Sequence, residues 1–435
     1  MSKIIIQNGN MCELDLPLKF AQKLYNEFAI RHPNAFYLRT RQRGMQNWDG
    51  KIHYITKTGQ FKIGLLPKVY DMCIEMGIKP KVVDMRQPLP KVSKVVTNIG
   101  KYKLRPEQEK AVKAVINNKI GNTPFQIGVL DLTVNFGKTL IMSSLYLSYK
   151  KQLKTLLITN DSDWLNQARE EFKQYLPGED ITFVQGKVLN WSNFTIGMVQ
   201  SISRNMRFYQ KELSQIDMVL VDEADQGGSK QYQNVITRLF NTRIRIGLSG
   251  TIYMSKLAKD KVKNMNLECF FGKVIAEFKL KDSIKKGYST KTVVKMVPGK
   301  PWYGNWESDC ISYKEIYDDS ITNCYTAWLM AYNRLLWNLN QGRYPALVVC
   351  KHIAHCENLY KFFKKKLGDA YNIAYVHVNT PSKLRQQIMK DFREGKIDIL
   401  VSTTIIARGK NFPKLKYLLN TASMLSNEKT IQFLG

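Results

Sequence analysis

The sequence predicts an α/β protein with two parallel-sheet domains preceded by a small basic α+β domain. Three observations lead there. From about Gly100 to Phe278, apolar runs of the kind buried on both faces alternate with helical segments. A second alternating stretch runs from about residue 281 onward, with a helical, aromatic-rich segment (Tyr313 to Gln341) ahead of the strand at Ala346. The first 98 residues instead mix strand and helix patterns and hold sixteen Lys and Arg against seven Asp and Glu. We therefore place domains at 1–98, 99–280 and 281–435.

In the first domain, Lys3 to Gln7 reads as a strand, and Leu16 to Ile30 as an amphipathic helix with Phe20, Leu24 and Phe28 on one face. Phe36 to Trp48 and Lys51 to Thr56 read as strands joined by an Asp49-Gly50 hairpin turn. Arg39, Arg41 and Arg43 alternate, so on a regular strand they share one face, which suits contact with phosphates. Trp48 reads as a core anchor beside the turn. Thr58-Gly59 gives a second turn before a strand over Phe61 to Leu66. A helix follows from Pro67 to Met76, opened by its proline and closed by Gly77. Pro88 and Pro90 mark a linker.

Composition narrows the function. The 435 residues carry a net charge of +30 and a pI near 9.7, which points to a polyanionic partner, nucleic acid above all. No apolar run approaches the roughly 18 residues of a membrane helix, and the start is too soon polar for a signal peptide. Seven cysteines form no C-x-x-C pair, which suits free thiols and a cytoplasmic setting. Cys350, His352, His355 and Cys356 have the composition of a metal site. Because Cys350 ends a strand and the others start a helix, they are expected to splay apart rather than bind zinc.

Two strand ends carry the chemistry. Ile127-Gly128-Val129-Leu130 leads into Thr133-Val134-Asn135-Phe136-Gly137-Lys138-Thr139, followed by an apolar helix from Leu140 to Lys150. That context suits a phosphate loop, in which backbone amides and a helix N-terminus face an anion. Lys138 would reach the β- and γ-phosphates and Thr139 would bind Mg²⁺. Leu132 stands at the first glycine position of the strict motif, and Asn135 stands where a left-handed residue is often needed, which asparagine tolerates. Downstream, Ile216 to Val221 closes on Asp222-Glu223-Ala224-Asp225. We assign Asp222 to the metal and Glu223 to activation of the attacking water. Together the two ends describe an ATP–Mg²⁺ site.

The order of further motifs resembles that of the superfamily-two helicases. Lys103-Leu104-Arg105-Pro106-Glu107-Gln108 is similar to the adenine-reading segment, which implies nucleotide contacts from Arg105 and Gln108. Asn135, Phe136 and Gly137 complete the loop. Gln167 matches motif Ia, although Asn160-Asp161 stands where the family has Pro-Thr, and Gln200-Ser201 resembles motif Ib. Leu248-Ser249-Gly250-Thr251 matches motif III, which implies coupling through Asp225, Ser249 and Thr251. Thr403 to Asn411 matches motif V, and Gln432-Phe433-Leu434-Gly435 is the first half of motif VI. The resemblance implies nucleic-acid contacts from Gln167, Gln200, Ser201 and Thr403. It also implies nucleotide contacts from Gly409, Asn411 and Gln432.

Asn47-Trp48-Asp49-Gly50-Lys51 with Gly64-Leu65, and Lys351-His352-Ile353-Ala354-His355, resemble the UvsW-type bacteriophage branch-migration helicases. That likeness implies two RecA-like domains and an ATP-driven monomeric motor on branched or duplex DNA in recombination and replication, working in a host cytoplasm. RNA–DNA hybrids belong to the same substrate range. The chain reaches only the first half of motif VI, so we expect a natural polypeptide that continues past Gly435. Two other readings stay open at this point: an RNA helicase, and a non-catalytic DNA-binding switch gated by ATP.

Overall fold

The computed structural model describes residues 2–41, 45, 47–133, 135–149, 152–186, 188–252, 260–291, 293–296, 312–404, 412 and 414–422. Residues 1–291 form one compact unit and the following residues, from 292, a second.

The first unit begins with β1 (Lys3–Ile6), β2 (Met11–Asp15), α1 (Leu18–Glu27), β3 (Ala29–Arg31) and α2 (Ala35–Arg41). β4 (Lys51–His53), β5 (Gln60–Lys62), α3 (Leu66–Glu75) and β6 (Lys81–Asp84) complete this part. Strands β5-β2-β1-β6 make a mixed sheet, and β3 pairs with β4 in a separate antiparallel ribbon.

The expected strand over Phe36 to Trp48 is therefore wrong. β4 pairs instead with β3, Arg31 opposite Lys51, so the Asp49-Gly50 pair sits at the foot of a longer loop that contains a helix. Ala35 and Leu38 give that segment a helical inner face, and its Ala, Leu and Arg content favours helix. Trp48 is half-buried and donates its Nε1 to the Lys51 carbonyl at 2.9 Å. The strand expected over Phe61 to Leu66 is also shorter, because a 3-10 turn takes Ile63–Leu65.

The rest of the unit is one eight-stranded sheet. Its strands are β7 (Ile127–Leu132), β8 (Thr155–Thr159), β9 (Ile181–Gln185), β10 (Val188–Leu189), β11 (Phe194–Met198), β12 (Met218–Asp222), β13 (Ile244–Ser249) and β14 (Val274–Phe278). They lie in the order β10-β9-β11-β8-β12-β13-β7-β14, all parallel except β10. Every residue of β7, β8, β12 and β13 is buried, as both-faced covering requires.

Alternation divides the sheet's side chains between two cores. Leu130, Leu132, Leu220, Ile246 and Leu248 pack with α4 (Pro106–Ile116), α5 (Lys138–Ser148) and α6 (Ser162–Tyr175). Ile127, Val129, Val219 and Val221 face the other way and share a core with Ile4, Ile6, Leu24, Phe61 and Ile63. The basic N-terminal part thus covers one face of this sheet and is no separate body. Gly64 shows how close the contact is: a Cβ there would stand 2.1 Å from the Glu268 carbonyl oxygen.

Leu280–Lys285 forms a helix, α7, that stays with this unit. Lys286 pairs with Glu107, whose carboxyl it holds below the usual range. The change of unit falls at 291, past the 280 read from the sequence.

The second unit holds β15 (Ala346–Cys350), β16 (Ile373–Val376), β17 (Ile399–Thr403) and β18 (Tyr417–Asn420), parallel in the order β16-β17-β15-β18. A helix over Tyr325–Leu339 and another over Ile353–Leu367 pack against it. Cys350 and Cys356 are both buried in the core, where Cys356 Sγ donates to the Val376 carbonyl at 3.9 Å, and the neighbouring Cys350 together with burial drives the Cys356 pKa upward. His355 faces the Tyr317 hydroxyl at 3.3 Å, and burial lowers its pKa to about 4, so it is a neutral core residue.

Candidate nucleotide site

The loop after β7 and the acids after β12 lie at the same edge of the sheet, because both strands are parallel and only β13 separates them. Asp222 stands opposite Leu248 and Asp131 opposite Ser249, so the three carboxyl ends are level. A crevice outside the carboxyl ends of parallel strands is where such sheets bind ligands.

The loop is shaped by two left-handed residues, Asn135 with φ 58° and Gly137 with φ 83°. Asparagine adopts that region more readily than other side chains, which explains the residue found there. At Gly137 a Cβ would stand 2.5 Å from Gln108 Nε2, the movable end of a side chain, so it is the left-handed φ that calls for glycine. Lys138 and Thr139 then open α5, both half-buried, at the positive end of the helix.

Arg105 and Gln108 do not project freely. The Gln108 side chain donates to the Phe136 carbonyl at 2.7 Å and accepts from the Arg105 amide at 2.8 Å. The Arg105 guanidinium donates to the same carbonyl at 2.7 Å and lies 4.2 Å from the Tyr288 ring. Both side chains thus brace the phosphate loop. Tyr288, which sequence reading missed, adds an aromatic face to this corner.

On the acidic side, Asp222 is buried. Desolvation pushes its pKa above the ordinary carboxylate range, Lys138 pulls it back, and Asp225 and Asp161 add repulsion. Glu223 takes a left-handed conformation at φ 53°, a strain of roughly 1–2 kcal/mol that turns it away from Asp222. Asp225 accepts from the Ser249 hydroxyl at 3.0 Å, and Ser249 Oγ accepts from the Thr251 amide at 3.1 Å. The three residues assigned to coupling therefore form one buried cluster.

A polar chain leads away from the acids. Gln226 donates to Glu223 at 3.1 Å, Asn160 bonds Gln226, and Gln200 donates to the Asn160 carbonyl at 3.3 Å. Asn160, where the family has proline, is what makes the chain continuous. Ser201 accepts from the Gly186 amide at 2.9 Å, and Gln167 is held by Glu171 at 2.7 Å. Thr403 ends β17, buried, in the second unit. Arg39 and Arg41 sit on α2, about 200° apart by helical geometry, so they do not share the face expected of a strand. Arg43, Gly409, Asn411 and Gln432 lie outside the described residues.

Comparison with known proteins agrees with this geometry. Residues 101–254 match the family described as the type III restriction enzyme res subunit, and residues 329–435 match the helicase conserved C-terminal domain. In fold and in its two matched regions the chain resembles the superfamily-two helicases. The crystal structure of UvsW from bacteriophage T4 has a similar fold at TM-score 0.50 and 19% identity, over 97% of this chain and 83% of that one. A second UvsW structure gives TM-score 0.50 at 21% identity, over 64% of this chain and 99% of that one. RhlB of Shewanella woodyi, an ATP-dependent RNA helicase, is 33% identical over 89 residues, 20% of each chain. CHR1 of Candida albicans, also an ATP-dependent RNA helicase, is 22% identical over 215 residues, 48% of this chain and 31% of that protein. The chain spans about a fifth of the length of the RhlB relatives it matches. Among the described residues no helix is long and apolar enough to cross a membrane.

A carboxylate kept from water beside other carboxylates fits a cation, and Thr139 and Asp222 are the residues that would hold Mg²⁺. Asp222 also yields a stability prediction. Because its folded pKa is raised, the folded state favours the protonated form, and stability falls as pH climbs through the window above the ordinary carboxylate range. Asp222→Asn removes that penalty. Without nucleotide or Mg²⁺, the variant is expected to melt above the parent at neutral pH. The gap should close toward acid, and a variant melting lower at neutral pH contradicts the assignment.

Proposed function

We propose that this helicase is a DNA-dependent ATPase that moves on branched DNA, remodelling forks and migrating four-way junctions in recombination and replication. The observation that carries the ATPase part is the level edge that holds Lys138, Asp222 and Glu223. Lys138 and Thr139 would grip the phosphates, Asp222 would hold Mg²⁺, and Glu223 would orient and deprotonate the attacking water. Mg²⁺ would supply neutralisation of the developing charge. Arg105 and Gln108 keep the loop in place for that purpose.

Coupling is supported by two connections that leave the same edge. One is Asp225–Ser249–Thr251, the other the chain from Glu223 to Gln200. Gln167, Gln200, Ser201 and Thr403 would contact the strand, in each unit separately. The net charge of +30 favours phosphate contact, so affinity should fall steeply with salt.

Branched DNA is favoured by the N-terminal part, which lies outside both matched family regions yet within the span shared in fold with UvsW. A second reading, an RNA helicase, is favoured by the names of RhlB and CHR1, whose matches cover at most half of this chain. Resemblance also favours a monomer in the cytoplasm. The deciding experiment is migration of a synthetic four-way DNA junction with and without ATP, set against unwinding of an RNA duplex. ATP-dependent junction migration is the expected result. Unwinding of RNA with no action on the junction selects the second reading.

A further inference from the structure

Helix α2 carries two adjacent exposed aromatics, Phe36 at 79% and Tyr37 at 54% exposure. Helical spacing sends them to neighbouring faces. Phe36, Arg39 and Thr40 line a concavity of about 490 Å³ together with Arg31 and Lys51. Asp49, the acid of that concavity, is engaged by the His53 ring at 2.7 Å and the Lys51 amide at 2.9 Å, so the three cations set the sign. Tyr37 carries Arg41 over its ring at 4.7 Å.

A flat aromatic face ringed by cations fits a nucleobase with phosphates on either side. A duplex hides its base faces by stacking and presents them only at an end or a fork. The N-terminal part that carries this helix shares a core with the eight-stranded sheet through Leu24 and Phe28, next to α2 in sequence. Arg245 ties the same N-terminal part to the sheet, reaching from β13 to the Gly9 carbonyl at 2.6 Å and to Asn10 at 2.8 Å.

We propose that Phe36 stacks on the first unpaired base at a DNA fork, with Arg31, Arg39 and Lys51 on the flanking phosphates, as a wedge carried rigidly by the first motor sheet. The inference rests on the reading of this helicase as a DNA motor and adds the element that meets the fork.

The test uses the full chain without ATP and a forked DNA duplex bearing 5-iododeoxyuridine at the first unpaired position of either arm. Irradiation is expected to cross-link the tryptic peptide His32–Arg39. Phe36→Leu should lose that cross-link and bind the fork about tenfold more weakly, as loss of one base–aromatic stack gives. Phe36→Trp should keep both. The exposure of Phe36 makes a folding failure readable as a changed melting temperature. Cross-links only to other peptides, or unchanged fork affinity in Phe36→Leu, overturn the proposal. A parent chain that binds no forked DNA overturns the DNA-motor reading as well.

Discussion

Replacing Lys138 with alanine is expected to lower DNA-stimulated ATP turnover by roughly 10²–10³-fold, the usual cost of removing one aligned donor from a developing anion. Lys138 is the first residue of α5, where the left-handed Gly137 releases the chain into the helix. Its ammonium is close enough to Asp222 to lower that carboxyl's pKa against the effect of burial. The same charge would neutralise the triphosphate, so its loss weakens both ground state and transition state. Arginine should rescue poorly, because a planar fork does not fit the space of a point charge. Phosphate release measured with and without DNA checks the expectation. Turnover within twofold of the parent would sink the site assignment.

Arg245→Ala is expected to destabilise the first unit by about 2–5 kcal/mol, the range for emptying a large buried site. Arg245 occupies a position of β13 where alternation points toward the shared core, and it is fully buried. Burial and the neighbouring Arg86 lower its pKa to about 9, so it is still charged at neutral pH. Its guanidinium satisfies the carbonyls of Gly9 and Phe270 and the side chain of Asn10. Alanine leaves those acceptors unpaired and opens a void between the N-terminal part and the motor sheet. Chemical unfolding should show the loss, and limited proteolysis should show faster cutting near residues 85–97, where the two parts join. Equal stability of variant and parent would mean that this contact does not hold the parts together.

Much of the candidate site was legible because its signals are local. A strand, a loop with asparagine and glycine at the tight positions, and a helix are written within residues 127–148. Asp222 follows its strand directly. The motif order added Arg105, Gln108, Ser249 and Thr251. What those side chains do was less visible. Arg105 and Gln108 share the Phe136 carbonyl, a contact spanning about thirty residues that no spacing rule encodes. The chain through Gln226 and Asn160 likewise joins segments from three strand ends.

The N-terminal part was misread where periodicity gave two answers. Arginines at every second position suggested a strand, yet Ala35 and Leu38 mark a helical face, and the pairing of β3 with β4 left the segment between them free to coil. Arg245 was readable only as an oddity, a charged residue within an apolar strand. Its meaning depends on Gly9, 236 positions away.

The sequence by itself determined the alternating α/β plan, the positive charge, and the residues that end each strand at the nucleotide edge. Those follow from hydrophobic period and turn chemistry, which act over a few residues. Only the tertiary structure decided that the basic N-terminal part and the eight-stranded sheet are one body, and how Arg105 and Gln108 are aimed at the loop after β7. Both depend on which distant groups are shut away from water together, and burial is a property of the folded whole.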